Sequence, residues 1–142
     1  MRTKLLISIF VIALIGFADA SYLTVEHFQG KIPPCSVVEG CERVLTSSYS
    51  VVAGIPVSLA GSIYYLLVLI GLFAYFDTKN ESILKWTLHL TALGFLASLA
   101  FLYLQAFVIH SYCLYCLGSI ATSTAIFAIA LFVMKRYSIV HE

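Results

Sequence analysis

The four cysteines of the chain form two close pairs in the sequence, Cys35 with Cys41 and Cys113 with Cys116. The spacing of the second pair places both sulfurs on one face of a helix start, where they can form a short disulfide or reach one reactant. If Ser111 caps that helix, Cys113 lies in the first turn, where unpaired N–H groups and the helix dipole favour a thiolate. Cys116 then lies about 4.5 Å deeper along the axis. The alternative is that these cysteines are small apolar residues used for packing.

The composition is that of an integral membrane protein. Of 142 residues, 61% are hydrophobic and 11% are charged, whereas about 25% of residues are charged in soluble domains. No basic patch and no phosphate-binding glycine loop is present, so we expect no nucleic-acid partner. Each of four apolar stretches is long enough to span a lipid bilayer. The sequence therefore predicts an all-α membrane protein, a single four-helix bundle over residues 1–142 with transmembrane helices at about 5–25, 55–76, 86–109 and 113–134.

The N-terminal stretch has two interpretations. Arg2 and Lys4 precede an apolar segment that ends in Ala18-Asp19-Ala20, as in a signal peptide with its cleavage site. Apolar residues continue to Val25, so the segment has the length of a spanning helix and we favour an uncleaved first helix. Asp19 is ionisable within this stretch, but its expected depth near the headgroups favours simple interfacial solvation. Gln105, a polar residue of the third span, is expected to hydrogen-bond between helices.

Basic residues are distributed unequally between the two sides of the membrane. The positive-inside rule places both termini in the cytoplasm and makes 26–54 a long first extracytoplasmic loop. All four cysteines then face the oxidising compartment, whereas packing cysteines would be spread over the depth of the bilayer. We therefore expect a multi-pass protein of the cytoplasmic (inner) membrane. The predicted cytoplasmic side carries Arg2, Lys4, Lys79, Lys85, Lys135 and Arg136, and the other side carries Lys31 and Arg43.

Two cysteine pairs from separate segments on one membrane face indicate a relay of thiol–disulfide exchange. A zinc site made of four thiolates is the competing interpretation. It is less favoured because cysteines outside the cytoplasm oxidise, and because the spacing of Cys35 and Cys41 is wide for a zinc knuckle. We therefore expect no metal site.

The sequence resembles the vitamin K epoxide reductase family, specifically its prokaryotic members. The resemblance extends over essentially the whole chain and rests on the four-helix plan and on the cysteine spacing of the first loop. It also rests on two motifs, Cys41-Glu42-Arg43-Val44-Leu45-Thr46-Ser47-Ser48-Tyr49 running into Gly54-Ile55-Pro56, and Tyr112-Cys113-Leu114-Tyr115-Cys116 at the last helix.

The resemblance implies a role for each cysteine. Cys113 and Cys116 correspond to the redox-active pair, in which Cys116 meets a quinone ring. Cys35 and Cys41 correspond to the shuttle pair of the loop. Cys35 is expected to exchange with a thioredoxin-fold partner, and Cys41 is expected to pass electrons to Cys113.

The resemblance also implies a substrate and a partner. The acceptor is a membrane quinone, ubiquinone or menaquinone, and the thiol partner is a DsbA-like or other thioredoxin-fold protein. Because the sequence stops six residues after Arg136, this partner is expected to be a separate protein. Animal members have a tyrosine at the position of Ile120, so plain quinone reduction is favoured over epoxide chemistry. Ser47 corresponds to a family serine near the quinone carbonyl.

Two further residues are candidates for the site, and two rival functions stay open. Tyr49 is expected to cover the quinone pocket. His110 precedes the thiol pair and can stabilise its thiolate or move a proton, although an interfacial anchor needs no such role. A DsbB-type oxidase has its Cys-x-x-Cys in the first outer loop, unlike this chain. The rival of another class is a small four-helix transporter or scaffold with purely structural cysteines.

Overall fold

The computed structural model describes residues 1–34 and 40–141, with side chains up to residue 139, so Cys35 lies outside the described residues. Within this part of the chain, four helices are long and apolar enough to cross a membrane. The predicted all-α, four-helix membrane fold is therefore confirmed. In chain order the elements are α1 (Arg2–Phe28), α2 (Cys41–Leu45), β1 (Val51–Val52), β2 (Ile55–Pro56), α3 (Val57–Thr78), α4 (Glu81–Tyr103), a π-helix (Leu104–Ile109) and α5 (Leu114–His141).

The long helices extend further than the apolar runs of the sequence. The helix α1 begins at Arg2 and α5 continues beyond Arg136 to His141. Polar and basic residues end a hydrophobic stretch without ending the helix, because long basic side chains can lie back along apolar neighbours. The Arg136 guanidinium, for example, lies 5.3 Å from the centre of the Phe132 ring one turn earlier.

The turn between α3 and α4 is short, as the polar run there predicts. Lys79 has the left-handed backbone conformation, with φ 54°, and its N–H bonds to the carbonyl oxygen of Tyr75. Asn80 then caps α4, because its side-chain oxygen accepts the N–H of Ser82 at 2.9 Å. The two helices are therefore antiparallel neighbours.

The core lies where α1 and α4 each contact both α3 and α5. Leu6, Ile9, Val68 and Leu72 are among its buried residues. Large apolar side chains also point outward, and Trp86 is 79% exposed. In a chain that spans a membrane, such outward side chains face lipid rather than water.

A small hairpin joins the first loop to α3. Strands β1 and β2 pair antiparallel, and the turn between them consists of Ala53 and Gly54, both with positive φ. A two-residue turn with positive φ at both positions matches the twist of a β-hairpin, and glycine is favoured there because it has no Cβ. The hairpin brings the loop back onto the same end of the bundle as the start of α5.

The opposite end of the bundle is held by an ion pair. The Arg2 guanidinium binds the Glu81 carboxylate and the Tyr75 hydroxyl, so side chains from α1, α3 and α4 meet there. The ion pair is partly exposed, and its contribution to stability is modest. The N-terminus of α1 and the C-terminus of α5 also lie at this end of the bundle, far from the thiols.

Candidate thiol site and apolar cavity

Cys113 lies immediately before the first residue of α5. Its carbonyl oxygen accepts the N–H of Leu117 at 2.9 Å, and its Sγ accepts the N–H of Cys116 at 3.5 Å. These are the contacts of an N-cap residue, so the sulfur of Cys113 occupies the position in which a cap oxygen normally lies. Cys113, rather than Ser111, therefore caps this helix. The chemical consequence is unchanged, since an anionic sulfur is favoured at this helix end.

The pKa of Cys113 is lowered from 9.0 to about 7. The largest cause is a hydrogen bond from the Cys116 thiol, and the backbone N–H groups of Cys116 and Tyr115 add to it. Burial of the sulfur acts in the opposite direction. Both Cys113 and Cys116 are free thiols, and Cys113 is completely buried. Near neutral pH, a large fraction of Cys113 is therefore the nucleophilic thiolate.

Comparing Cys116→Ala with Cys116→Ser tests this assignment. Serine keeps a side-chain donor for the Cys113 sulfur, whereas alanine removes it. A hydrogen bond to a charged group is worth about 1.5–3 kcal/mol, so the Cys113 titration should lie about one to two pH units higher with alanine than with serine. The measurement is the ultraviolet thiolate absorbance against pH in proteins that also carry Cys35→Ser and Cys41→Ser. Identical midpoints for both variants would show that the Cys116 side chain does not set the pKa.

Gln105 holds the backbone just before α5. Its Oε1 accepts the N–H of Cys113 at 2.9 Å, and its own carbonyl oxygen accepts the N–H of Ser111 at 3.1 Å. The π-helix widens the end of α4, and His110 takes the left-handed conformation at its end. The sequence indicates a hydrogen bond between helices for Gln105. The side chain does join the π-helix at the end of α4 to Cys113 at the start of α5, and it holds the backbone that carries the thiol.

The first loop meets the thiol pair through Cys41. Cys41 is disulfide-bonded, and it forms a small buried cluster with Val44 and Cys113. The neighbouring Gly40 lies so close to the segment before α5 that an added Cβ would be 2.4 Å from the carbonyl oxygen of Tyr112. A backbone contact this close requires glycine. Cys41 of the loop and Cys113 therefore meet at one end of the bundle.

A cavity of about 930 Å³ lies beside Cys116. Ser47, Tyr49 and Ile120 line it, whereas His110 is exposed and is not among the described residues of its wall. The helices α3 and α4 contribute residues that are also exposed on the outer surface, so the cavity opens toward lipid. Such lining residues include Ile63, Leu67 and Leu93.

Two hydroxyl groups on the cavity wall escaped the sequence-based prediction. Tyr64 on α3 and Ser123 on α5 lie near each other, yet neither hydroxyl has a hydrogen-bond partner of normal geometry among the described residues. Buried hydroxyls of this kind can bind a carbonyl oxygen. Ser47 instead donates to the carbonyl oxygen of Val44 at 2.7 Å. The sequence signal for Tyr64 and Ser123 is a polar side chain inside an apolar span. The direction in which each side chain points follows only from the packing of the helices.

Asp19 differs from the sequence-based expectation. Its Oδ2 atom is buried and has no hydrogen-bond partner among the described residues. Its carboxylate interacts electrostatically with both Cys113 and Cys116, and with the Tyr65 hydroxyl. Simple interfacial solvation is therefore not what the structure shows for this side chain.

Comparison with known protein families agrees with the family resemblance of the sequence. No curated protein matches the chain. Among protein families, the sequence model of the Vitamin K epoxide reductase family matches residues 7–131, which is most of the 142-residue sequence. Family membership and the membrane-spanning helices together indicate a redox function linked to disulfides. The chain belongs to the vitamin K epoxide reductase family and is a multi-pass membrane oxidoreductase.

Proposed function

We propose that the protein oxidises a separate thioredoxin-fold protein, such as a DsbA-like protein, and passes the two electrons to a membrane quinone. One observation carries this proposal. Cys113 packs against the disulfide-bonded Cys41, and its partner Cys116 lines the apolar cavity. A single sulfur pair thus contacts both the loop that a soluble partner can approach and a space that a lipid-soluble acceptor can enter.

Thiol–disulfide exchange carries the electrons from the partner to the helix cysteines. A thiolate of the partner attacks Cys35 in a loop disulfide with Cys41, and the second partner thiol completes the oxidation of the partner. The released Cys41 thiolate then attacks Cys113 of the oxidised helix pair, and Cys116 leaves as a thiol. The loop disulfide reforms, and both electrons rest on Cys113 and Cys116. A disulfide-bonded Cys41 beside two free helix thiols is the arrangement at this stage.

The cavity has the properties that a quinone needs. Its volume of about 930 Å³ lies within the range of small-molecule sites, and a mainly apolar wall with a few polar groups suits a ring with two carbonyls. Cys116 would face the ring, while Tyr64 and Ser123 can supply hydroxyl groups to the carbonyl oxygens. Ser47 can join them once its hydroxyl exchanges its bond to the Val44 carbonyl oxygen for one to the quinone. Tyr49 lies at the exposed part of the wall. A bound quinone supplies an acceptor for two electrons and two protons.

The direction of flow requires an acceptor more oxidising than the partner. A DsbA-type dithiol has a potential of about −120 mV, and each 30 mV is worth about 1.4 kcal/mol in a two-electron reaction. The charge bias of the sequence supports a position of the thiols outside the cytoplasm, where new disulfides persist. The role that follows is disulfide formation outside the cytoplasm, with the protein in the cytoplasmic membrane.

The direct test uses purified protein in detergent, a reduced DsbA-like protein and several quinones. Quinone absorbance should decrease in step with oxidation of the partner, one quinone for each disulfide formed. No quinone reduction with ubiquinone, menaquinone or their short-chain analogues would contradict the proposal. It would favour the small transporter or scaffold with structural cysteines.

Replacing Cys35 by serine separates the two halves of the relay. The variant should lose turnover with the protein partner, because its entry sulfur is missing. It should keep turnover with a small membrane-permeant dithiol that reduces Cys113 and Cys116 directly. Quinone absorbance with each donor measures the difference, and wild-type protein with the same donors is the control. Equal loss with both donors would show that Cys35 is not the entry point.

A further inference from the structure

Asp19 lies at nearly the same depth as Cys116. The Tyr22 and Tyr115 rings, on α1 and at the start of α5, are 5.7 Å apart and align the two helices. Asp19 is three residues before Tyr22, and Cys116 directly follows Tyr115. Because the helices run in opposite directions, both residues lie below the ring pair and differ in height by about 3 Å.

The surroundings of Asp19 leave its carboxyl group available. The neighbouring Tyr65 hydroxyl is already engaged, since it lies 2.7 Å from the Thr122 hydroxyl oxygen and bonds to the Ser119 carbonyl oxygen at 2.9 Å. Oδ2 of Asp19 has no hydrogen-bond partner among the described residues. Ionisable groups inside a membrane span are energetically expensive, and an unpaired acceptor atom raises that expense. Neither an ion pair nor a helix cap therefore explains why a carboxyl group is buried at this position.

Oxidation of the helix thiols needs such a group. Converting two thiols into a disulfide removes two electrons and two protons from the sulfur pair. Cys113 can lose its proton before the reaction, because it is in large part a thiolate near neutral pH. The Cys116 proton must leave during the reaction, at a half-buried sulfur beside an apolar cavity. A carboxylate within the bundle offers an acceptor where water is scarce.

We propose that the Asp19 carboxylate accepts the proton that the Cys116 thiol releases when Cys113 and Cys116 are oxidised. The inference rests on the proposed function. The S–H bond of Cys116 breaks, the Cys113 thiolate forms the S–S bond, and two electrons pass to the quinone. The proton held by Asp19 then goes to a carbonyl oxygen of the reduced acceptor, and the second proton of the quinol comes from solution. Asp19 returns to the carboxylate, so charge and protons balance.

The test compares Asp19→Asn with wild type in single-turnover oxidation of the reduced protein by a short-chain ubiquinone. Asparagine keeps the size of the side chain but cannot accept the proton. Because general base catalysis contributes about 10²-fold or more, the variant should oxidise about 10²-fold more slowly. Its rate should also lose the pH dependence due to Asp19. The titratable groups that face Asp19 in the described part of the chain are Tyr65 on α3 and the two thiols at α5. Both proteins retain them.

Two further measurements keep the test decisive. Asp19→Glu should keep most of the wild-type rate. Asp77→Asn, which removes an exposed carboxyl near the C-terminal end of α3, should leave the rate unchanged. If Asp19→Asn does not fold, Asp19→Leu replaces it, since apolar substitution of a buried charge is often tolerated. Thiolate absorbance against pH, without quinone, should show the Cys113 titration at lower pH in the variant, because a nearby negative charge is gone.

The outcomes separate this inference from the proposed function. If wild type does not reduce quinone, the proposed function fails, and an unmoved thiolate titration would then overturn the role of Asp19 as well. If wild type reduces quinone and Asp19→Asn does so at the same rate and with the same pH profile, the inference about Asp19 is overturned while the relay stands. A slow rate that Asp19→Glu restores supports the inference.

Discussion

Changing Cys116 to alanine should abolish quinone reduction, with a loss of at least about 10³-fold, as expected when one member of a catalytic unit is removed. Cys116 is the thiol that lines the apolar cavity, and Cys113 cannot complete a helix disulfide without it. The measurement is quinone absorbance during turnover with a reduced partner. A second readout distinguishes loss of chemistry from loss of fold.

That second readout is a trapped disulfide. In the Cys116→Ala protein the Cys113 thiolate can still attack Cys41, and it releases the other loop sulfur. Alkylation of the released loop thiol prevents its return attack on Cys41, so a disulfide between Cys41 and Cys113 should accumulate, visible by mass spectrometry of unreduced peptides. Leu117→Ala, one residue away on α5, is the matched control and should reduce quinone normally. Retained quinone reduction in Cys116→Ala would favour purely structural cysteines.

Replacing Gly40 by valine should slow electron transfer from the loop to the thiol pair by about 10²-fold, the effect expected from a displacement of about 1 Å between reacting groups. Any Cβ at this position would lie 2.4 Å from the Tyr112 carbonyl oxygen. Because that atom belongs to the backbone, the loop must move away, and Cys41 moves with it. Turnover with the protein partner should fall accordingly.

The effect should depend on the electron donor. A small dithiol that reduces Cys113 and Cys116 directly should support most of the wild-type turnover in Gly40→Val, since both helix thiols remain and this donor does not need Cys41. Gly118→Ala is the matched control, because an added Cβ there meets nothing within 4 Å. If Gly40→Val transfers electrons from the partner as fast as wild type, close packing of Gly40 on Tyr112 is not needed for the relay.

The number and placement of the helices could be predicted because they depend on averaged properties. Apolar runs of sufficient length identify the spans, and the polar turn around Asn80 identifies the antiparallel pair of α3 and α4. The helix ends were harder to predict, since α1 begins at Arg2 and α5 continues to His141. Charged residues at a membrane surface are compatible with helix, so composition alone does not locate its end.

Details of the site depend on contacts between distant residues, which no local pattern reports. A serine two residues before a Cys-x-x-Cys is a reasonable cap from sequence, yet Gln105 accepts the N–H groups of both Ser111 and Cys113, and the helix begins after Cys113. The packing of Gly40 on Tyr112 and the depth of Asp19 beside the thiols likewise follow only from the assembled bundle.

The sideways opening of the cavity affects how the protein should be handled in solution. An apolar volume of about 930 Å³ that opens toward the bilayer accepts lipid acyl chains and detergent tails as well as a redox substrate. These occupants compete, so the apparent Michaelis constant for quinone will rise with the concentration and chain length of the solubilising agent. Kinetic comparisons between variants therefore belong in one lipid or detergent environment, preferably in nanodiscs of fixed composition.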